Sequence, residues 1–404
     1  MHGEHDETTR ELIRGAVAEL AAVGQAEFTM DGVVRRSYYS PGALYERWSD
    51  RGDLISAAGT LAIIPDVVEG LARVTDAGSA LEWVLDDGRD RIALVGEVML
   101  AGSTTDAVRP VSLQAWQALH EGLGRHLPPG MAWFMAVYSL GNALLDVIGL
   151  HGPMPARGRI PWLREACDVE LEERRVMSQG RAADDIDVPQ VPLPARSDAT
   201  AQALIQAAQT LLHERGAEAL STRRVSAAAG VTTGALYRRY RGKADLLADV
   251  LLVELAPDRY EWTWDLVGAL AEQNPYWASA DVMTGQFLAA AQDTVSQRVL
   301  LQIGVAARND PVLRGQVQQR VAQAHRARRE LFATFIKEGV MRSDVDPAVF
   351  AWGFQTLPVG ARVLLALDIP LDGPAVATAM RAILTAAASA GAPSAYRPAG
   401  SSWS

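Results

Sequence analysis

Apolar residues recur at helical spacing along most of the chain, with alanine and leucine dominating those positions. Alternating runs of β-branched residues, which would mark strands, are not a feature of the sequence. The pattern predicts an all-α protein. The clearest amphipathic segment is Thr200 to Leu212, which places Leu204, Ile205, Ala208, Leu211 and Leu212 on one face. Gly216 is well placed to end that helix in a left-handed conformation. Ser221 can cap a short helix over Thr222–Ala229, because its hydroxyl accepts from an otherwise orphaned backbone N–H. Gly230-Val231 then makes a tight turn, and Thr232 or Thr233 can cap a third helix through Tyr240. Two short helices joined by a glycine-containing turn make a helix-turn-helix. A fourth helix is expected over Lys243–Leu255.

The same pattern occurs earlier. Residues 8–54 align with 200–246 at a constant offset of 192, without a gap. Leu12, Ile13, Ala16, Leu20, Gly24 and Val33 recur as Leu204, Ile205, Ala208, Leu212, Gly216 and Val225. Gly42-Ala43-Leu44-Tyr45 recurs as Gly234-Ala235-Leu236-Tyr237. The period is too long for a solenoid and reads as two whole domains fused in one chain. A second echo pairs Met131-Ala-Trp-Phe…Gly141-Asn-Ala-Leu-Leu145 with Phe350-Ala-Trp-Gly…Gly360-Ala-Arg-Val-Leu364, at an offset of 219.

The expected organisation is therefore a helix-turn-helix segment at 1–55, a helical bundle at 56–177, a linker at 178–197, a second helix-turn-helix segment at 198–247, a second bundle at 248–390 and a loose tail at 391–404. The linker is rich in proline and aspartate and has little periodicity. Met131 to Leu150 is about the length of a membrane span. It contains Gly141, Asn142 and Asp146 and reads as a buried packing helix.

Leu220 to Leu247 resembles the DNA-binding region of the TetR family of bacterial transcriptional regulators. The resemblance rests on the apolar-Ala-Gly-Val turn at Ala229-Gly230-Val231, on Leu236-Tyr237-Arg-Arg-Tyr240 and on Lys243-Ala-Asp-Leu246. The N-terminal end of such a recognition helix enters the major groove, where Thr232 and Thr233 can reach base edges and Gly234 permits close approach, with Thr222 of the preceding helix and Arg238 also candidate DNA contacts. Tyr237, Arg239 and Lys243 can then bind phosphates, contacts that fix register and carry no sequence information.

The first copy departs from that pattern. Tyr38 stands where Gly230 makes the turn, Tyr39 replaces Val231, and Arg35-Arg36-Ser37 replaces three alanines. Gly32 weakens the helix before the turn by about 1 kcal/mol. Glu46 replaces Arg238. Ser40, Pro41, Gly42, Tyr45, Arg47 and Arg51 keep the recognition-helix frame. The first copy reads a different half-site, holds phosphates without specificity, or is a structural pseudo-domain.

Charge sharpens the contrast. The chain carries −10 overall, but residues 1–190 carry −12 and residues 191–404 carry +2. Residues 8–54 hold six basic and seven acidic side chains, against seven and three in residues 200–246. The second copy has the electrostatic footprint of a phosphate-binding module. The one cysteine, Cys167, excludes an intrachain disulfide and suggests a reducing compartment. The seven histidines have no metal-ligand spacing, and no nucleophile elbow, P-loop or dinucleotide fingerprint is present. Neither an enzyme nor a cofactor or metal is expected.

The resemblance implies a cytoplasmic regulator, a repressor, with a double-stranded DNA operator and a small apolar effector as partners. Trp262, Trp264, Met283 and Phe287 are the candidate ligand wall. It also implies pairing through the last two long helices of each unit, here those containing Trp133–Leu145 and Trp352–Leu364, so that one chain forms an intramolecular pseudo-dimer, or two chains a homodimer. The rival reading is a helical ligand-sensing or partner-binding protein whose DNA-binding segments are non-functional.

Overall fold

A computed structural model describes residues 7–150, 161–177, 198–216, 220–254, 284–285, 287–288 and 291–388. Among the described residues every element of regular structure is a helix, joined by turns and short irregular segments, with one isolated bridge between Met341 and Ala388. The all-α expectation holds.

The first half begins with α1 (Glu7–Glu27), α2 (Met30–Ser37) and α3 (Pro41–Tyr45). Next, α4 (Arg51–Ala58) runs through a π-turn at Gly59–Ile63 into α5 (Ile64–Ala72). Then come α6 (Ala77–Glu82), α7 (Arg89–Gly102), α8 (Arg109–Gly124), α9 (Pro129–Val147) and α10 (Pro161–Met177). The second half repeats the opening as α11 (Ala199–Arg215), α12 (Thr222–Ala228), α13 (Thr233–Tyr237) and α14 (Lys243–Glu254). It closes with α15 (Thr294–Ala307), α16 (Pro311–Lys337), α17 (Pro347–Ala366) and α18 (Gly373–Ala387).

Three boundaries differ from the sequence reading. The recognition helix α13 ends at Tyr237 rather than Tyr240, because its last turn tightens: Arg239 N and Tyr240 N both donate to Leu236 O, at 2.9 Å. Helix α12 stops at Ala228, one residue early. Gly216 does end α11 at positive φ, but its ψ of 177° is extended rather than left-handed helical. Gly24 ends the regular part of α1 in the same way (φ 72°, ψ 174°). That backbone is open to glycine and strained for other residues.

The halves are joined through a four-helix core. Helix α9 crosses α17, and α10 packs along α18. At the α9–α17 crossing the backbones touch at Gly141 and Gly360. A Cβ on Gly141 would stand 2.0 Å from Thr356 O, and one on Gly360 would stand 1.9 Å from Val137 O. Only glycine permits that approach. Next to it, Trp352 Nε1 donates to Asn142 Oδ1 across the halves (2.9 Å), both residues being buried. Trp162 of α10 meets Phe350 of α17 edge-on, with ring centroids 5.1 Å apart. Helix α9 is thus the buried packing helix expected for Met131–Leu150. Its N-terminal amides, which have no partner within the helix, are satisfied by Glu170, whose two oxygens accept from Gly130 N and Met131 N at 2.7 Å. That fully buried carboxylate sits at the positive end of a helix, where the dipole favours it.

Candidate nucleic-acid interface

The second helix-turn-helix is built on a small apolar nucleus. Leu204 and Leu212 of α11, Val225 of α12, Leu236 of α13, Tyr240 between α13 and α14, and Leu246 of α14 share one buried cluster. Ser221 caps α12, accepting from Arg224 N at 3.3 Å, and Thr232 caps α13, accepting from Ala235 N at 3.1 Å. Gly230 closes the turn at φ 67°, with Val231 N bonded to Ser226 O at 3.0 Å. A side chain there would be strained even though nothing crowds it.

The nucleus leaves one polar surface outward. Thr232, Thr233, Gly234, Tyr237 and Arg238 are exposed, with Tyr237 57% accessible. Tyr237 Oη and Thr222 Oγ1 lie 3.2 Å apart, so one hydroxyl orients the other. Arg223, Arg224 and Arg241 are exposed on the same segment. Lys243 opens α14, at an N-terminus whose amides favour an anion. Arg239 differs from the other candidates. Its guanidinium is held by Asp198, with Nε at 2.7 Å and Nη2 at 3.0 Å from the carboxylate, and it also donates to Ala235 O at 3.2 Å. Those bonds pull the Asp198 carboxyl down to about 2, with backbone N–H groups of the α11 N-terminus adding to the effect. Arg239 therefore ties α13 to the start of α11 before any phosphate arrives. Sequence spacing could not reveal this, because the partners are 41 positions apart.

The first segment has the same local geometry, position for position at the offset of 192. Thr29 caps α2 as Ser221 caps α12, and Ser40 caps α3 as Thr232 caps α13. Tyr38 takes the turn position of Gly230 at φ 61°, in the left-handed region. A tyrosine there is strained by roughly 1–2 kcal/mol, yet its side chain is 95% exposed and gains no packing in return. Arg47 copies Arg239, donating to Ala43 O at 2.9 Å and to Thr9 Oγ1 at 3.1 Å. Gly32 has a close-approach role: the Glu19 carboxylate occupies the space a Cβ would need, and Glu19 pairs with Arg36. Ser37 fits because it abuts Gly15.

The outward surface of the first copy is different in character. Ser40, Gly42 and Tyr45 are exposed, Arg51 is half-buried, and Glu46 stands exposed where the second copy has Arg238. Of the ligand-wall candidates, Trp262, Trp264 and Met283 lie outside the described residues. Phe287 packs edge-on against Trp133, with centroids 6.2 Å apart, and so sits against the joint core.

Residues 204–250 match the bacterial regulatory proteins of the tetR family. The matched stretch contains α12, α13 and most of α11 and α14, so the match falls on the helix-turn-helix of the second half. The chain matches none of the curated proteins compared with it. Solved structures similar to part of it include a TetR-family transcriptional regulator from Rhodococcus sp. (18% identity, 46% of this chain and 97% of that one, TM-score 0.38). Another is NalD, the secondary repressor of the MexAB-OprM multidrug efflux pump in Pseudomonas aeruginosa (21%, 48% and 96%, TM-score 0.38). A third is a TetR family transcription regulator from Marinobacter aquaeolei VT8 (17%, 48% and 98%, TM-score 0.34).

Proposed function

We propose that the chain is a DNA-binding transcriptional regulator, a repressor released by a small molecule, whose halves act as an intramolecular pseudo-dimer on a bipartite operator. The observation that carries the reading is the tetR-type segment, with Thr232, Thr233 and Tyr237 exposed on one surface that is flanked by arginines. The shared geometry of residues 8–54 supports a second DNA-facing unit. The Gly141–Gly360 crossing supports pairing within one chain, since it joins equivalent positions of the two halves. Tethering puts the halves at an effective concentration in roughly the millimolar range. It also frees each recognition helix to diverge, which accounts for Glu46 against Arg238 and predicts an asymmetric operator.

In this reading Thr222, Thr232 and Thr233 contact bases, while Tyr237, Arg238 and Lys243 contact phosphates. Arg239 holds the recognition helix in place. Ser40, Gly42, Tyr45, Arg47 and Arg51 take the matching places in the first unit. A ligand changes the separation of the two recognition helices, which must meet major grooves about 34–36 Å apart or a multiple of that. The test is a gel shift on DNA upstream of the coding region, over a salt series, with wild type and the Tyr237→Ala/Lys243→Ala double variant. Tight, salt-sensitive binding lost in the variant supports the proposal. Absence of binding to that DNA and to random genomic fragments favours the sensor without DNA binding, to which the acidity of the first half lends weight.

A further inference from the structure

A cleft of about 100 Å³ lies between the two halves. Leu100, Leu145 and Ile148 form its first-half wall, and Leu251, Leu300 and Val317 its second-half wall. The lining is mainly apolar, as small-molecule sites usually are, with a few convergent polar groups. Those groups have a definite arrangement. Arg308, at the C-terminal end of α15, reaches across to Glu97 of α7, and Glu97 also accepts from Gln25 N at 2.7 Å. The Glu97 carboxyl is raised by burial, against the pull of Arg308 and of the Gln25 N–H. One polar atom is left over. Gln25 is 5% exposed, and its side-chain oxygen Oε1 is buried without a partner among the described residues. A buried amide oxygen in that condition is destabilising until a donor is supplied.

The surrounding charges limit what can supply it. Glu97 and Arg308 cancel each other. Arg362, which also lines the cleft and donates to Gln297 Oε1 at 3.0 Å, disfavours an ammonium group. A carboxylate would meet the Gln25 oxygen and the Glu97 carboxylate, both acceptors. A hydroxyl both donates and accepts, so it suits the Gln25 amide whichever way its ends are turned.

We propose that this cleft binds one neutral, mainly apolar molecule per chain, with a hydroxyl on the Gln25 side chain and its hydrocarbon against the leucine and valine walls. The site deepens the reading of the chain as a ligand-responsive regulator, and rests on that reading only for its biological meaning. Its position suggests how it acts. Gln25 lies at the end of α1, which packs on α2 of the first helix-turn-helix, while most of the apolar wall belongs to the second half. An occupant held by one half therefore touches the DNA-binding segment of the other.

The test is calorimetric titration of the full-length chain, without DNA, using 4-propylphenol, propylbenzene, 4-propylbenzoate and 4-propylbenzylammonium. The expected result is one 4-propylphenol per chain, bound about tenfold tighter than each of the other three, the effect of one hydrogen bond. Gln25→Leu and Gln25→Met should each abolish the preference over propylbenzene and leave propylbenzene affinity within about twofold. Circular dichroism identifies which of the two variants is folded, and either suffices. The proposal is overturned if 4-propylphenol does not bind, binds more than once per chain, loses to a charged probe, or keeps its preference in a folded Gln25 variant. DNA binding is measured separately, so failure of one reading is not failure of the other.

Discussion

A single methyl group at the α9–α17 crossing should loosen the whole joint between the halves. In Gly360→Ala the new Cβ would stand 1.9 Å from Val137 O and 3.0 Å from Gly141 N. Carbon–oxygen contact needs about 3.3 Å, so the helices must part by roughly 1.4 Å. Both obstructing atoms are backbone, so no side chain can rotate away. A gap of that size forfeits about half or more of the dispersion energy of the atoms facing it. The affected contacts include those of Leu140, Trp352 and Leu364, all buried. Overpacking of this kind costs about 3 kcal/mol. At about 2.1 cal/mol/K of unfolding entropy per residue, a chain of this length loses about 3–4 °C in Tm. Gly141→Ala should do the same, since its Cβ would meet Thr356 O at 2.0 Å. Gly353→Ala is the control. It lies on the same helix, where a Cβ would point into open space, and replacing helical glycine by alanine gains up to about 1 kcal/mol. Thermal unfolding by circular dichroism reads all three. If Gly360→Ala melts with Gly353→Ala, the close crossing is not what joins the halves.

Other expectations follow from single residues. Tyr38→Gly should stabilise the chain by about 1 kcal/mol in a thermal melt, because it relieves left-handed strain and removes no packing. Arg308→Met should destabilise by about 3 kcal/mol, because it leaves the Glu97 carboxylate buried without its cation; denaturant unfolding measures it. The Asp198 carboxyl is depressed from 3.8 to about 2, so its stabilising effect is complete above about pH 4 and fades as pH falls towards 2. The gap in Tm between wild type and Asp198→Asn should therefore narrow as pH falls from about 4 to about 2. Lys243→Ala should weaken binding to all DNA sequences and lower the salt slope by about one. Thr233→Ala should instead change base preference, as read by competition between operator variants.

Much of this fold was legible because it is written locally. Caps at Ser221 and Thr232, the turn at Gly230 and the apolar face of α11 involve residues a few positions apart, and periodicity reveals them. The paired markers Gly141 and Gly360 were visible as an echo, but their meaning was not, since only the fold brings two backbones within reach at those positions. The contacts that join distant segments stayed hidden for the same reason. Arg239 with Asp198, Trp352 with Asn142, and Arg308 with Glu97 are each drawn together by packing rather than by spacing. The contact of Phe287 with Trp133 likewise joins residues far apart in the chain. The cleft between the halves could not be foreseen, because its walls come from both.

The most direct measurement is a hydroxyl-radical footprint on the bound upstream DNA, joined to the mass of the complex by light scattering. The account predicts two protected patches on one face of the duplex, a whole number of helical turns apart, of unequal sequence, under a single 43.4 kDa chain. One patch per chain, with two chains needed to cover the site, would contradict pairing within the chain. A duplex left unprotected at every concentration would contradict the regulator itself.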